Sequence, residues 1–140
     1  MDNYKFIFKD KEYNLSSENC DFIFLDDEEN EITGIDLGKI RRLLNESNKV
    51  EFDLSYYKEP CMECKNGIAE KLKHFRFLEY SFYIFTKNNE YVISNISKEF
   101  EHTNFTQLLR EGKVDNSYVL MIIVCESCGT YSIEIEQCDM

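Results

Sequence analysis

The segment YVLMIIVCESCGTYSIEIE, residues 118–136, decides the fold. Its opening run of apolar, largely β-branched residues predicts a buried strand at 118–124. Its closing part places apolar side chains at every second position, which predicts a half-buried strand at 130–136. The turn between the two strands carries a C-x-x-C pair, Cys125 and Cys128. The segment therefore predicts a strand that turns through two cysteines and returns as a second strand.

A second C-x-x-C pair, Cys61 and Cys64, lies in the middle of the chain directly after Pro60. Zinc prefers four soft donors arranged as a tetrahedron at about 2.3 Å from each sulfur. A C-x-x-C turn offers two thiolates on one side, and the amides within the turn can donate hydrogen bonds to them. We therefore predict that Cys61, Cys64, Cys125 and Cys128 bind one structural Zn²⁺ ion.

A glycine follows each cysteine pair. Gly129 comes directly after Cys128, at a corner that favours a residue able to adopt a positive φ. Gly67 follows the first pair at a longer interval, and we expect it to serve the first turn in the same way.

The six cysteines are expected to lie in a reducing compartment. The chain begins without an apolar run of signal-peptide length, and its longest apolar stretch is too short to span a bilayer, so a cytoplasmic location is expected. Paired cysteines there are more often metal ligands than structural disulfides. Cys20 and Cys138 remain outside the two pairs and are expected to be a buried thiol and a thiol at a frayed end.

The two cysteine pairs and Gly129 resemble those of zinc-ribbon and related four-cysteine zinc-knuckle modules. That resemblance implies a structural metal with all four thiolates as ligands. The long separation between Cys64 and Cys125 departs from a compact ribbon, so the metal is expected to join two distant parts of one domain. The whole chain also resembles small uncharacterised bacterial proteins of similar size, and its heavy use of Asn, Lys and Ile is typical of an AT-rich bacterial or phage genome.

Two other uses of the same thiols stay open. An iron–sulfur cluster can take the same four thiolates, because spacing alone does not select the metal. Cys61 and Cys64 alone can form a thiol–disulfide redox pair, since a helix predicted at 66–77 would lower the pKa of the preceding thiols.

The remaining pattern predicts an α+β fold with a mainly antiparallel sheet and two or three short helices in a single domain, residues 1–140. Predicted strands outnumber predicted helices and mostly form adjacent hairpins. Beyond the closing strand pair, the predicted elements are a hairpin over 4–15, strands at 21–25, 49–57, 80–86 and 90–96, a helix at 37–46 capped by Asp36, the helix at 66–77, and a helix from Thr103 closed by Gly112.

The charge of the chain limits its partners. The formal net charge is −11 and the pI is about 4.6, which disfavours direct binding to nucleic acid or to anionic lipid surfaces. A protein partner is expected. The aromatic residues of strand 80–86 are interpreted mainly as core, but they lie on both faces, so one face is available to a partner or to another subunit. An acidic inhibitor that mimics nucleic acid is an alternative.

Other polar groups are interpreted as structural. The acidic run at 26–31 lacks the glycine and glutamate of a calcium loop and is expected to be a solvated turn. His74 and His102 are isolated, so a surface or capping role is expected for each. A four-thiolate zinc has no open position for substrate, and we therefore favour a small acidic cytosolic module that binds or regulates a protein without being an enzyme.

Overall fold

The computed structural model describes residues 3–16, 18–25, 32–47, 50–61, 63–65 and 67–138, and for residues 21–25 it describes only the backbone. The acidic run predicted as a solvated turn at 26–31 lies outside the described residues. In chain order the elements are β1 (Tyr4–Phe8), β2 (Lys11–Leu15), β3 (Cys20–Leu25), α1 (Leu37–Glu46), β4 (Asp53–Tyr57), β5 (Phe75–Lys87), β6 (Glu90–Ser94), a 3-10 helix (Lys98–His102), α2 (Phe105–Arg110), β7 (Asn116–Cys125) and β8 (Tyr131–Gln137).

A six-stranded sheet forms the centre of the fold, and β1 pairs with β2 in a separate hairpin. The main path of the sheet runs β3-β8-β7-β5-β4, and β6 adds to β5. The strand pairs are antiparallel except for β3 and β8, which are parallel. The prediction of an α+β fold with a mainly antiparallel sheet is confirmed.

One face of this sheet, the closed face, carries the main hydrophobic core. Leu78, Leu120, Ile122 and Ile133 are completely buried there, and α1 and the β1–β2 hairpin pack against the same cluster. Full burial of one such side chain contributes roughly 1.5–3 kcal/mol to stability. The alternation predicted for β8 and the apolar run predicted for β7 both follow from this packing.

On the opposite face, the described residues form a core cluster at one end. There Phe85, Leu108 and Val114 form a second core cluster with residues of the 3-10 helix and α2. The rest of this face of the sheet is called the open face, and the strand registers place its side chains on one surface. They are Asp53, Ser55, Tyr57, Phe77, Glu79, Ser81, Tyr83, Val119, Met121, Ile123, Ser132, Glu134 and Glu136.

Helix α1 forms at the predicted residues because its start is capped. The carboxylate of Asp36 accepts a hydrogen bond of 2.8 Å from the backbone N–H of Lys39. The apolar stripe of the helix, Ile40, Leu43 and Leu44, is buried in the main core. None of the helices in the described part of the chain has the length and apolar composition needed to cross a bilayer.

The helix predicted at 66–77 is wrong. Residues 67–71 form turns, and β5 begins at Phe75. The spacing of Ile68, Leu72 and Phe75 fits a helix. However, Ile68 is 46% exposed and Leu72 is 52% exposed, so burial of apolar side chains would stabilise such a helix only slightly. Pairing of the aromatic run from Phe75 onward with β4 and β7 prevails over the local helical pattern.

Other element boundaries move by a few residues. β5 starts earlier than the predicted strand 80–86, and β4 starts at Asp53 rather than at residue 49. The helix predicted from Thr103 begins at Phe105, where Asn104 caps it by accepting from the backbone N–H of Gln107 at 2.8 Å.

Candidate metal centre

The sheet register brings the two cysteine pairs to one end of the molecule. Cys61 and Cys64 lie in the connection between β4 and β5, and Cys125 and Cys128 lie at the turn between β7 and β8. β5 and β7 are antiparallel neighbours, and Phe77 near the start of β5 is opposite Cys125 at the end of β7. Both connections therefore emerge from the same end of adjacent strands.

The four sulfur atoms form one compact cluster. The distance from the sulfur of Cys61 to that of Cys128 is 3.6 Å, and the distance from the sulfur of Cys64 to that of Cys125 is also 3.6 Å. All four sulfurs lie within 4.8 Å of one another. A tetrahedral ion with bonds of about 2.3 Å requires edges of about 3.8 Å, whereas a disulfide requires about 2.05 Å. The predicted convergence of the four cysteines is confirmed, and their role as metal ligands stays a prediction.

The second knuckle, residues 125–130, closes with backbone hydrogen bonds across the β7–β8 turn. The N–H of Cys125 donates to the carbonyl of Thr130 at 2.9 Å, and the N–H of Gly129 donates to the carbonyl of Cys125 at 3.0 Å. Gly129 has a φ of +82°, as predicted for this corner. The side chain of Cys125 is only 3% exposed, so this knuckle starts from the sheet interior.

Side chains from other strands hold the second knuckle from outside. The ammonium group of Lys11 donates to the carbonyls of Glu126 and Ser127 at 2.8 and 2.9 Å. The hydroxyl of Tyr13 donates to the carbonyl of Glu126 at 2.8 Å, and the guanidinium of Arg76 lies 3.1 Å from the Glu126 carboxylate. β2 and β5 thus fix the turn independently of any metal.

The first knuckle, residues 61–65, repeats a backbone hydrogen bond and a positive φ of the second. The N–H of Lys65 donates to the carbonyl of Cys61 at 2.8 Å, which corresponds to the bond between Gly129 and Cys125. Lys65 also takes a positive φ of 51°, in the place that Gly129 occupies in the second knuckle. The backbone hydrogen bonds that the structure describes within residues 61–72 join residues of that same segment.

Gly67 does not serve the first knuckle, contrary to the prediction. It lies two residues after Lys65 and has a φ of +94° in the next turn. A β-carbon at this position would lie 2.9 Å from a methyl carbon of Leu72 and 3.1 Å from the ring of Phe75. Gly67 therefore permits the β4–β5 connection to fold closely against the start of β5.

Backbone amides and burial act in opposite directions on the thiols. Burial raises the pKa of Cys61, and hydrogen bonds from the N–H groups of Cys64 and Glu63 lower it by less. Burial likewise raises the pKa of Cys125 despite hydrogen bonds from the N–H groups of Cys128 and Ser127. Amides aimed at sulfur stabilise thiolates, as bound metal requires.

Cys128 differs from these two thiols. Burial raises the pKa of Cys128, but hydrogen bonds from the hydroxyl and the N–H of Thr130, together with those from the sulfurs of Cys61 and Cys125, more than offset this and bring it to about 7. In the metal-free chain, Cys128 is therefore substantially ionised at neutral pH.

The remaining cysteines and the histidines lie outside the cluster. Cys20 opens β3 and contacts Tyr131, and the N–H of Cys138 donates to the carbonyl of Ser117 at 3.0 Å. His74 is exposed in the turn before β5, and His102 is exposed at the end of the 3-10 helix.

Sequence patterns do not reveal the residues that shape and support the knuckles. Lys11 and Tyr13 alternate on β2, a pattern that predicts a strand but does not reveal which distant carbonyls they reach. Lys65 carries no compositional sign of a positive φ. Its position directly after Cys64, equivalent to that of Gly129 after Cys128, is the one signal that identifies it.

Comparison with curated proteins and with solved structures gives no match. Comparison with family models gives a match over nearly the whole chain, and the description of that family does not mention a zinc ribbon. The resemblance to zinc ribbons therefore remains at the level of the cysteine motif. The matching model is described as a protein of unknown function, DUF3785, and because it covers residues 4–140, the chain belongs to that family.

Proposed function

We propose that Cys61, Cys64, Cys125 and Cys128 bind one structural zinc ion, and that the zinc-stabilised protein is a non-enzymatic module that binds a protein partner. The observation that carries this proposal is the sulfur cluster. Two sulfur–sulfur distances between the C-x-x-C pairs, Cys61–Cys128 and Cys64–Cys125, are 3.6 Å, and no distance between the four sulfurs exceeds 4.8 Å. These distances suit a single ion at the centre of the cluster. A multi-iron cluster would have to fit between the same sulfurs and needs them farther apart.

The ligand set favours a structural role over catalysis. Four thiolates complete the tetrahedron of a zinc ion, so no position remains for water or substrate. The ion would join the β4–β5 connection, which carries the first knuckle, to the β7–β8 turn. Its binding free energy then contributes directly to folding.

The redox alternative loses the feature that favoured it. It required a helix beginning just after Cys64, but residues 67–71 form turns. Burial also raises the pKa of the Cys61 thiol, which makes it a weaker nucleophile at neutral pH.

Metal analysis of the purified full-length chain tests the metal site. We expect about one zinc ion per chain and a melting temperature that falls by roughly 10 °C on chelation, because loss of a structural metal costs several kcal/mol. Added zinc should restore the original melting temperature.

A matched variant separates ligand loss from thiol loss. Cys64→Ser should abolish stoichiometric zinc binding, whereas Cys138→Ser removes a thiol outside the cluster and should leave both zinc content and melting temperature unchanged. A metal-free purified chain, a melting temperature insensitive to chelation, or equal effects of the two substitutions would contradict the proposed site.

A further inference from the structure

The open face presents apolar surface to solvent at the centre of the sheet. Val119, Met121 and Ile123 follow one another along β7 at half-buried positions, although β7 lies between two other strands. Tyr83 on the neighbouring strand is 47% exposed. A central sheet surface of this kind, left partly uncovered, is typical of a docking site for another chain.

A cleft of about 250 Å³ deepens this surface beside the first knuckle. Tyr57, Phe77 and Ile123 are among its lining residues, and Pro60 and Cys61 of the β4–β5 connection border it. The rings of Tyr57 and Phe77 meet edge to face with centroids 5.2 Å apart, which fixes two aromatic surfaces in the cleft. Its volume falls below the range of about 300–1,000 Å³ that small-molecule and cofactor sites occupy, and suits one long side chain.

Carboxylates surround the apolar part of the open face. The register places Glu79 between Asp53 and Ile123 on neighbouring strands, and it places Glu134 opposite Met121. The hydroxyl of Tyr57 donates a hydrogen bond to Glu79 and holds that carboxylate in place. None of the residues that define the open face is a lysine or an arginine.

The carboxylates repel one another. Burial raises the pKa of Glu134, and the charges of Glu136 and Glu79 raise it further. A cation placed among these groups would relieve that repulsion, whereas an anion would increase it. The charge of the open face therefore complements a basic partner.

We propose that the open face docks a basic segment of another polypeptide, with an arginine or lysine side chain in the cleft between Phe77 and Ile123 and its charge near Glu79 and Glu134. The proposal rests on the proposed function as a protein-binding module and specifies its surface and its class of partner. The aliphatic stem of such a side chain covers the apolar lining, while aromatic rings and carboxylates receive its charged end.

The test uses the full-length zinc-loaded protein and a defined probe. The probe is an acetylated nonapeptide of alternating arginine and leucine, and its matched control carries citrulline in place of every arginine. In ¹⁵N NMR titrations, we expect the arginine peptide to shift the backbone signals of the open-face residues of β5, β7 and β8. Shifts confined to other surfaces, or equal binding of the citrulline peptide, would overturn the proposal.

Charge-matched variants separate a specific site from general attraction to an acidic protein. Glu79→Gln combined with Glu134→Gln should lower the affinity for the arginine peptide by about tenfold, since two favourable charge contacts are lost. Glu18→Gln combined with Glu99→Gln removes the same charge from exposed positions elsewhere and should change the affinity by less than about twofold. Equal weakening by the two double variants would overturn the proposal.

The same samples distinguish the two proposals. Zinc content and melting temperature, measured before each titration, report the structural metal without reference to the peptide. A zinc-loaded protein whose open face does not respond to the arginine peptide refutes the docking surface and leaves the metal site standing. A metal-free protein that still binds the peptide at the open face refutes the metal site and supports the docking surface.

Discussion

The two cysteine knuckles have the same local geometry but very different support. Each carries a backbone hydrogen bond from the residue after its second cysteine to the carbonyl of its first, and each has a positive φ at that residue. The second knuckle is also held by Lys11, Tyr13 and Arg76. The first lies in a connection whose described backbone bonds are local. One half of the centre is therefore preorganised by the sheet, and in the proposed metal site the other half would be fixed by the bound ion.

The largest expected effect comes from replacing one ligand in each knuckle. Cys61→Ser and Cys125→Ser should each lower zinc affinity by more than about 100-fold, because even residues that merely orient ligands contribute 10–100-fold. Cys61→Ser should melt at the temperature of the metal-free native chain. Cys125→Ser should melt lower still, because it places a hydroxyl at a position that is 3% exposed.

Hydrogen exchange locates that difference between the knuckles. In Cys61→Ser the amides of Cys125 and Gly129 should stay protected, while those of Lys65 and Leu72 should exchange faster than in the zinc-bound native chain. Equal loss of protection in both knuckles would show that the comparison is wrong.

The second effect concerns thiol reactivity in the metal-free chain. At pH 7 about half of Cys128 is thiolate, since its pKa is about 7, whereas burial keeps Cys125 protonated. Iodoacetamide should therefore modify Cys128 at least about 100-fold faster than Cys125, as followed by peptide mass spectrometry. The rate at Cys128 should rise as pH increases from 6 to 8 and then level off, because the thiolate forms as pH passes the pKa. A rate that does not change over this range would contradict the ionisation assigned to Cys128.

A smaller effect tests the external support of the second knuckle. Tyr13→Phe removes the hydrogen bond to the Glu126 carbonyl from a side chain that is 3% exposed and should lower the free energy of unfolding by about 1 kcal/mol. Tyr83→Phe on the open face is the matched control and should change it by less than about 0.5 kcal/mol. Urea denaturation of the zinc-loaded proteins measures both free energies of unfolding. Equal effects of the two substitutions would show that the Tyr13 hydrogen bond does not stabilise the second knuckle.

The smallest effect compares the two corners directly. Gly129→Ala should cost about 1 kcal/mol through its positive φ alone, since no atom beyond its two chain neighbours lies within 4 Å of the added β-carbon. Lys65→Gly relieves the same strain in the first knuckle but increases the freedom of the unfolded chain, so we expect a net gain of no more than about 0.5 kcal/mol. Thermal unfolding under matched metal conditions measures both changes. A large loss from Lys65→Gly would mean that its side chain has a further role.

Sequence patterns predicted those parts of the fold that local periodicity and burial both favour. The apolar run of β7, the alternation of β8 and the capped stripe of α1 each match the buried residues. The spacing of the cysteines predicted their convergence, because two C-x-x-C turns together supply the four thiols of one tetrahedral metal site. The predicted helix at 66–77 failed because two of the three residues in its apolar stripe, Ile68 and Leu72, remain largely exposed.

Long-range contacts account for what sequence patterns did not predict. Lys11 and the Glu126 carbonyl are brought together by tertiary packing, and a backbone acceptor leaves no mark in the amino-acid pattern. The first knuckle lies beside the second because β5 pairs with β7, a pairing in which Phe77 of β5 is opposite Cys125 of β7. The cleft of the open face arises from the same pairing and from the path of the β4–β5 connection.

Cys61 belongs to the sulfur cluster and also borders the cleft. If both proposals hold, binding of zinc and binding of the partner are thermodynamically linked. The factor by which zinc changes the affinity for the partner equals the factor by which the partner changes the affinity for zinc. If zinc strengthens partner binding, a chain engaged with its partner would also bind its ion more tightly than a free chain. The fraction of chains bound to the partner would in turn depend on the concentration of available zinc.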